Sequence, residues 1–158
     1  MNHIPLLFAY RDRIIGLGFT ALVESHGRVL CVTEAEGDVW IYGVEPGAIA
    51  ASGADPKEAL EAFRQTFTSV LRDLAADARG VGEFREAVEG LFNAINLPNE
   101  VEWNAAVNAV RAGLVPLGDV PRLPAESRRF VDVTAEPALN AQTYFAVEGS
   151  TIQSHVAA

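Results

Sequence analysis

The first part of the chain carries short apolar runs separated by turn residues; beyond Gly53 the apolar spacing becomes helical. IIGLGFTALVE, residues 14–24, is rich in β-branched and aromatic types and predicts a strand. SHGR at 25–28 reads as a tight turn, with Gly27 where a positive φ is needed. VLCVT at 29–33 is the return strand, EAEGD at 34–38 a second turn, and VWIY at 39–42 a third strand. The pattern predicts an antiparallel meander. Gly43 and the Pro46-Gly47 corner then break the chain, and AIAAS at 48–52 supplies a short fourth strand.

A helix start follows. Asp55 is placed to cap, Pro56 suits the first helical position, and Glu58 sits where it reaches back. Leu60, Phe63, Phe67, Val70, Leu71 and Leu74 fall on one stripe, so the helix runs to about Ala78 and ends at Gly80. A second helix is predicted over 83–95, with Phe84, Ala87, Val88, Leu91, Phe92 and Ile95 on one face, ended by Leu97-Pro98. A third starts at Asn99, which with Glu102 repeats the capping spacing, carries Val101, Trp103, Ala106, Val110 and Leu114, and ends near Gly113. Residues 115–127 hold Pro116, Gly118, Pro121 and Pro124 and read as a loop. RRFVDVT at 128–134 alternates as a strand, TYFAV at 143–147 is a last strand, and STIQSHVAA is a frayed tail. The organisation read from this is an α+β domain over 1–80, a meander packed by one long helix. A helical extension with a C-terminal strand, packed on it, covers 81–158.

Composition narrows the function. With 158 residues, 49% of them apolar, the chain has enough material for a real core. No apolar run approaches the ~20 residues that cross a bilayer. The N-terminus MNHIPLLFAYRDR has an apolar patch but neither a basic leader nor a cleavage site, so no signal peptide is read. The one cysteine, Cys31, allows no internal disulfide, and a cytoplasmic protein is the simplest expectation. The formal net charge is −9; of the 12 basic residues all but Lys57 are arginines, densest at Arg128-Arg129. A duplex binder relies on a basic face, which this chain lacks, so direct DNA binding gains no support from charge. An acidic chain suits a basic protein partner.

Catalytic signatures are few. His3, His26 and His155 have no metal-ligand spacing, and Cys31 has no second cysteine nearby; mid-strand, it reads as a small buried hydrophobe. Gly16 and Gly18 lack the third glycine and following helix of a dinucleotide fingerprint. No cofactor, metal or catalytic set is therefore expected. The carboxylates Glu24, Glu34, Glu36, Asp38, Glu45, Asp55 and Glu58 read as turn and capping chemistry rather than a convergent two-metal site. Trp40 and Tyr42 lie two apart on one strand and share a face. Left outward, they form an aromatic patch of the kind that anchors partners; alternatively the helix carrying Trp103 covers them.

The segment GFTALVESHGRVLCVTEAEGDVWIYGVEPGAIAASGADPKEALEAF resembles the N-terminal domain of HicB-like antitoxins. The residues that carry the resemblance are Pro46-Gly47, Gly53, Asp55-Pro56 and Glu58-Ala59-Leu60, within about residues 18–75. The resemblance implies a partial, degenerate RNase H-like βββαβ unit that binds rather than hydrolyses, and a partner of the HicA type, a small basic mRNA interferase. Family members often carry a C-terminal DNA-binding element; no pair of helices or basic strand follows residue 134 to supply one. The expectation is a non-enzymatic, antitoxin-like protein that sequesters a basic toxin and forms a homo-oligomer through its sheet edge. Trp40, Tyr42, Glu34, Glu36 and Asp38 are its contact residues, and Gly43, Pro46, Gly47, Gly53, Asp55, Pro56 and Glu58 build the scaffold. The alternatives are an orphan scaffold or small-ligand-binding subunit, with the C-terminal half closing a pocket over the sheet, and an RNase H-type metal-dependent nuclease.

Overall fold

The chain opens as a long hairpin. In a computed structural model, which describes residues 2–117, 122–123, 127–137 and 153–157, β1 (Asn2–Gly16) and β2 (Phe19–Thr33) pair antiparallel from Asn2 opposite Thr33 to Gly16 opposite Phe19. The turn is at Leu17-Gly18, where Gly18 has φ 78°. This corrects the turn expected at 25–28: β2 runs straight through SHGR, and Gly27 is not in the left-handed region. A Cβ on Gly27 would overlap the Glu45 carbonyl oxygen, so glycine serves a close backbone approach here, not a turn. The N-terminal patch is likewise strand: Leu6, Phe8 and Tyr10 alternate into the core.

The expected turn at 34–38 forms, with Gly37 at φ 97° and its N–H on the Glu34 carbonyl. β3 (Val39–Glu45) and β4 (Ala50–Gly53) complete the meander, with the Glu45–Pro46 peptide cis. α1 (Pro56–Asp77) starts as its sequence dictates: the Asp55 carboxylate accepts from Glu58 N at 2.8 Å, and Glu58 reaches back to Ala54 N at 2.9 Å. The chain then enters α2 (Val81–Asn93) with no intervening strand.

α3 (Leu97–Arg111) starts earlier than expected. Asn96, not Asn99, is the cap, accepting from Asn99 N at 3.1 Å, and Leu97-Pro98 opens the helix instead of ending α2. Proline costs little there, because a first-turn N–H has no partner within the helix. β5 (Arg122–Leu123) lies in the expected loop, and β6 (Phe130–Glu136) matches the strand read at 128–134 with a two-residue shift. The tail is not frayed: β7 (Gln153–Ala157) pairs antiparallel with β1, with Val156 and Ala157 buried. The strand expected at 143–147 lies outside the described residues.

Among the described residues the result is a mixed α+β fold with one sheet of seven strands, six in the order β4-β3-β2-β1-β7-β5 and β6 the seventh, paired with β2; of these only β5 runs parallel to its neighbour. Alternation along β2 sends Val29 and Cys31 to one face and Leu30 and Val32 to the other. The first face packs on α1 and α2, where Phe8 meets Phe63 edge-on at 5.1 Å and Tyr10 meets Phe67 at 4.7 Å. The second packs on Trp103, Ala106 and Val107 of α3. Elements on both sides of residue 80 share this sheet, and Phe84, Val88, Val133 and Val156 join the core built on α1. Among the described residues no helix is long and apolar enough to cross a membrane.

Candidate functional site: an arginine-lined cleft

One edge of β2 is shared. β6 pairs with its first half, Thr20–His26, and β3 with its second half, Arg28–Thr33. The two strands abut end to end, and the β3 register shifts between Arg28 and Val29 where pairing changes hands. Arg28, the last residue of β3 (Glu45) and the residues leading into β6 are therefore brought to one seam.

A cleft of about 830 Å³ opens there. One wall is a stripe of α3, on which Glu100, Asn104, Asn108 and Arg111 form a polar line beside Trp103 and Val107. These positions recur at three- and four-residue intervals, so they share a helical face. Ser127, Arg128 and Arg129, which lead into β6, line it as well. The Arg28 side chain is only 4% exposed, with Nη2 donating to Glu100 at 2.8 Å and to Glu45 at 3.3 Å. Arg129 Nε lies 3.2 Å from the same Glu45 oxygen. The Arg28 guanidinium stands 5.3 Å from the centre of the Trp103 ring, and that of Arg128 stands 5.6 Å from Phe130. Two buried donors, Arg28 Nε and Trp103 Nε1, have no hydrogen-bond partner among the described residues.

This is an expensive arrangement. Desolvating an arginine and its carboxylates costs several kcal/mol per ion, which the pairing only about offsets, so such a network is a poor stabiliser. A buried N–H without a partner costs about 1–3 kcal/mol, and among the described residues two stand here without one. Among the described lining residues the cleft carries four arginines against two glutamates, a formal +2 in a chain of net charge −9.

The residues expected from sequence to make contacts sit elsewhere. Glu34, Glu36 and Asp38 are exposed in the β2–β3 turn, at the end of β3 away from Glu45. Trp40 and Tyr42 are half-buried beside it, their rings stacked at 5.7 Å and 12°. Tyr42 packs against the cluster around Trp103, so α3 covers part of the aromatic pair. Burial, and then the charge of Glu34, raise the Tyr42 hydroxyl above its ordinary pKa. The scaffold residues hold backbones together: Gly43 N donates to Ile49 O, and Gly47 N to Ala94 O where the Pro46 corner meets the α2–α3 link. A side chain at Gly53 would collide with the start of α1, which Asp55, Pro56 and Glu58 cap.

The cleft itself escaped the sequence reading. In the sequence Arg28 falls in a turn pattern and Glu45 among turn carboxylates. The available signals were the Arg128-Arg129 pair and the polar line along α3. No protein-family model, curated protein or solved structure matches this chain. Cys31 offers no nucleophile, because burial pushes its thiol up to about 11. Among the described residues no three His, Cys, Asp or Glu side chains gather where they could hold a metal ion.

Proposed function

We propose that this protein is a non-enzymatic binding protein whose arginine-lined cleft holds an anionic organic molecule. The observation that carries the reading is Arg28, buried with an Nε that has no partner among the described residues, beside a cleft that Arg128 and Arg129 also line. Thermal unfolding with a panel of small organic anions tests it. A ligand at about 100 times its Kd adds roughly 2.7 kcal/mol, which raises Tm by about 5–10 °C in a chain of this size. An Arg128→Gln, Arg129→Gln double variant should unfold as cooperatively as the parent and lose the shift. If no anion raises Tm, or the shift survives in that variant, the reading is wrong.

A second reading, an antitoxin-like role, draws on the resemblance over residues 18–75 and on the acidic turn beside the Trp40–Tyr42 pair. β2, β3, β4 and α1 supply a meander and a capped helix of the kind it implies. A βββαβ unit also calls for a strand after the helix, and here the chain enters α2 instead; the place beside β2 is taken by β1, which precedes the unit. Under this reading a small basic protein docks on the acidic end of β3, and copies of the chain associate through the β4 edge. Capture of such a partner should fall sharply in a Trp40→Ala, Tyr42→Ala double variant. Undiminished capture by a folded variant would exclude that surface.

A further inference from the structure

The arginine cleft and an acidic turn lie at opposite ends of one strand. β3 runs from Val39 to Glu45, and Glu45 lines the cleft at its far end. Just before Val39 stands the exposed turn Glu34-Ala35-Glu36-Gly37-Asp38. Glu34 N donates to the Asp38 carbonyl at 2.9 Å, and Gly37 N to the Glu34 carbonyl at 3.0 Å, which holds the tip in a fixed shape. Glu34, Glu36 and Asp38 put their carboxylates on this tip, and the chain has no basic residue between Arg28 and Lys57, so no neighbour in sequence balances them.

We infer that the acidic turn of one copy enters the arginine cleft of another, so that this chain assembles head to tail; this rests on the cleft being a site for anions. Glu45 already shows how a carboxylate is gripped here, one oxygen lying 3.3 Å from Arg28 Nη2 and 3.2 Å from Arg129 Nε. An arginine carries several N–H donors in a planar fork suited to carboxylates, and Arg128 and Arg129 are both exposed to an incoming one. The tip is slender: Ala35 and Gly37 separate its carboxylates, and open space surrounds Gly37. The cleft, at about 830 Å³, has room for more than a bare ion. A turn cannot fill the cleft of its own chain, because the seven residues of β3, at about 3.3 Å each, hold the two roughly 20 Å apart. The contact is therefore between molecules, and it is heterologous: each copy that offers its turn keeps its own cleft open for the next. The net charge of −9 makes copies repel at a distance. At about 0.15 M salt the Debye length is only about 8 Å, so distant charges are screened and the close carboxylate–arginine pairs decide.

Sedimentation at about 0.15 M salt, with the chain at up to about 1 mM, tests this. The parent should grow past a dimer as its concentration rises, and about 1 M salt should weaken the association roughly ten-fold or more. A turn variant, Glu34→Gln, Glu36→Gln, Asp38→Asn, and a cleft variant, Arg128→Gln, Arg129→Gln, should each stay monomeric alone. Mixed, they should form a one-to-one dimer that grows no further, since one intact turn then meets one intact cleft; misfolded variants would not pair. An anion that raises Tm should also dissolve the parent assembly, because it takes the same arginines. A parent that is monomeric throughout would overturn the inference. So would assembly that survives in either variant, which would place the contact elsewhere, or a mixture that stays monomeric. The cleft reading fails separately: an anion panel silent in thermal unfolding, with the mixed dimer still formed, would remove small anions and leave the cleft as a seat for the turn. A positive panel with a monomeric parent would do the reverse.

Discussion

Single positions in this chain are decided by what the backbone must approach. Gly27 is the sharpest case, because its missing Cβ leaves room for the Glu45 carbonyl at the seam. Gly27→Ala should therefore destabilise the protein by about 1–3 kcal/mol, the usual cost of forcing extra volume into a packed site. Gly90, mid-helix in α2 with nothing near the place its Cβ would take, is the opposite case. Gly90→Ala should stabilise by roughly 0.5–1 kcal/mol through helix propensity. Urea midpoints of the two variants should move in opposite directions; equal shifts would mean that the seam does not depend on this contact. Turn chemistry and close approach both call for glycine, and SHGR looks the same on paper in either role. The Glu45 carbonyl that distinguishes them comes from another strand, so the sequence could not place it.

Elements were legible in proportion to how local their causes are. α1 carries its cap, its first-turn proline and its apolar stripe within a few turns, and it forms where expected. α3 starts three residues before its expected place because two asparagines, Asn96 and Asn99, each offer a cap, and tertiary bonds of Asn96 to Val44 and Gly47, and of the Asn99 side chain to Gly43, accompany the choice of the first. In sequence β7 reads as a tail because five residues, QSHVA, make a strand only when β1 provides the ladder. Removing Gln153–Ala157 should cost on the order of 2 kcal/mol or more, since Val156 and Ala157 are buried and the β1 edge would be bared. A truncated chain that keeps the parent's urea midpoint would show that β7 adds nothing to stability. The cleft was the least legible part, because its walls come from β2, the end of β3, α3 and the residues before β6, which only the tertiary fold assembles.

At the scale of the whole molecule, two buried neutral groups link stability to alkaline pH. Burial pushes the Tyr10 hydroxyl from 10.0 up to about 12, partly opposed by its hydrogen bond to Thr68, and the Cys31 thiol from 9.0 up to about 11. In both, the unfolded chain gives up its proton first. Their contribution is fully present below about pH 9, falls as the unfolded thiol and then the unfolded phenol ionise, and is gone by about pH 12. The loss is on the order of 2 kcal/mol per group. Urea midpoints followed from pH 8 upward should hold steady and then fall, and Cys31→Ala should flatten the earlier part of that fall. A profile in Cys31→Ala identical to the parent's would exclude the thiol as a cause.

The seam in β2's edge has one more consequence. Arg28 and Glu45 belong to the opening hairpin and meander, whereas Arg128 and Arg129 lead into a strand laid down much later in the chain. With a single cysteine, this protein has no covalent means of fastening those regions together. A molecule gripped from both sides of the seam would act as a reversible cross-link between them. Its concentration would then set how firmly the two ends of the chain are held to the same sheet.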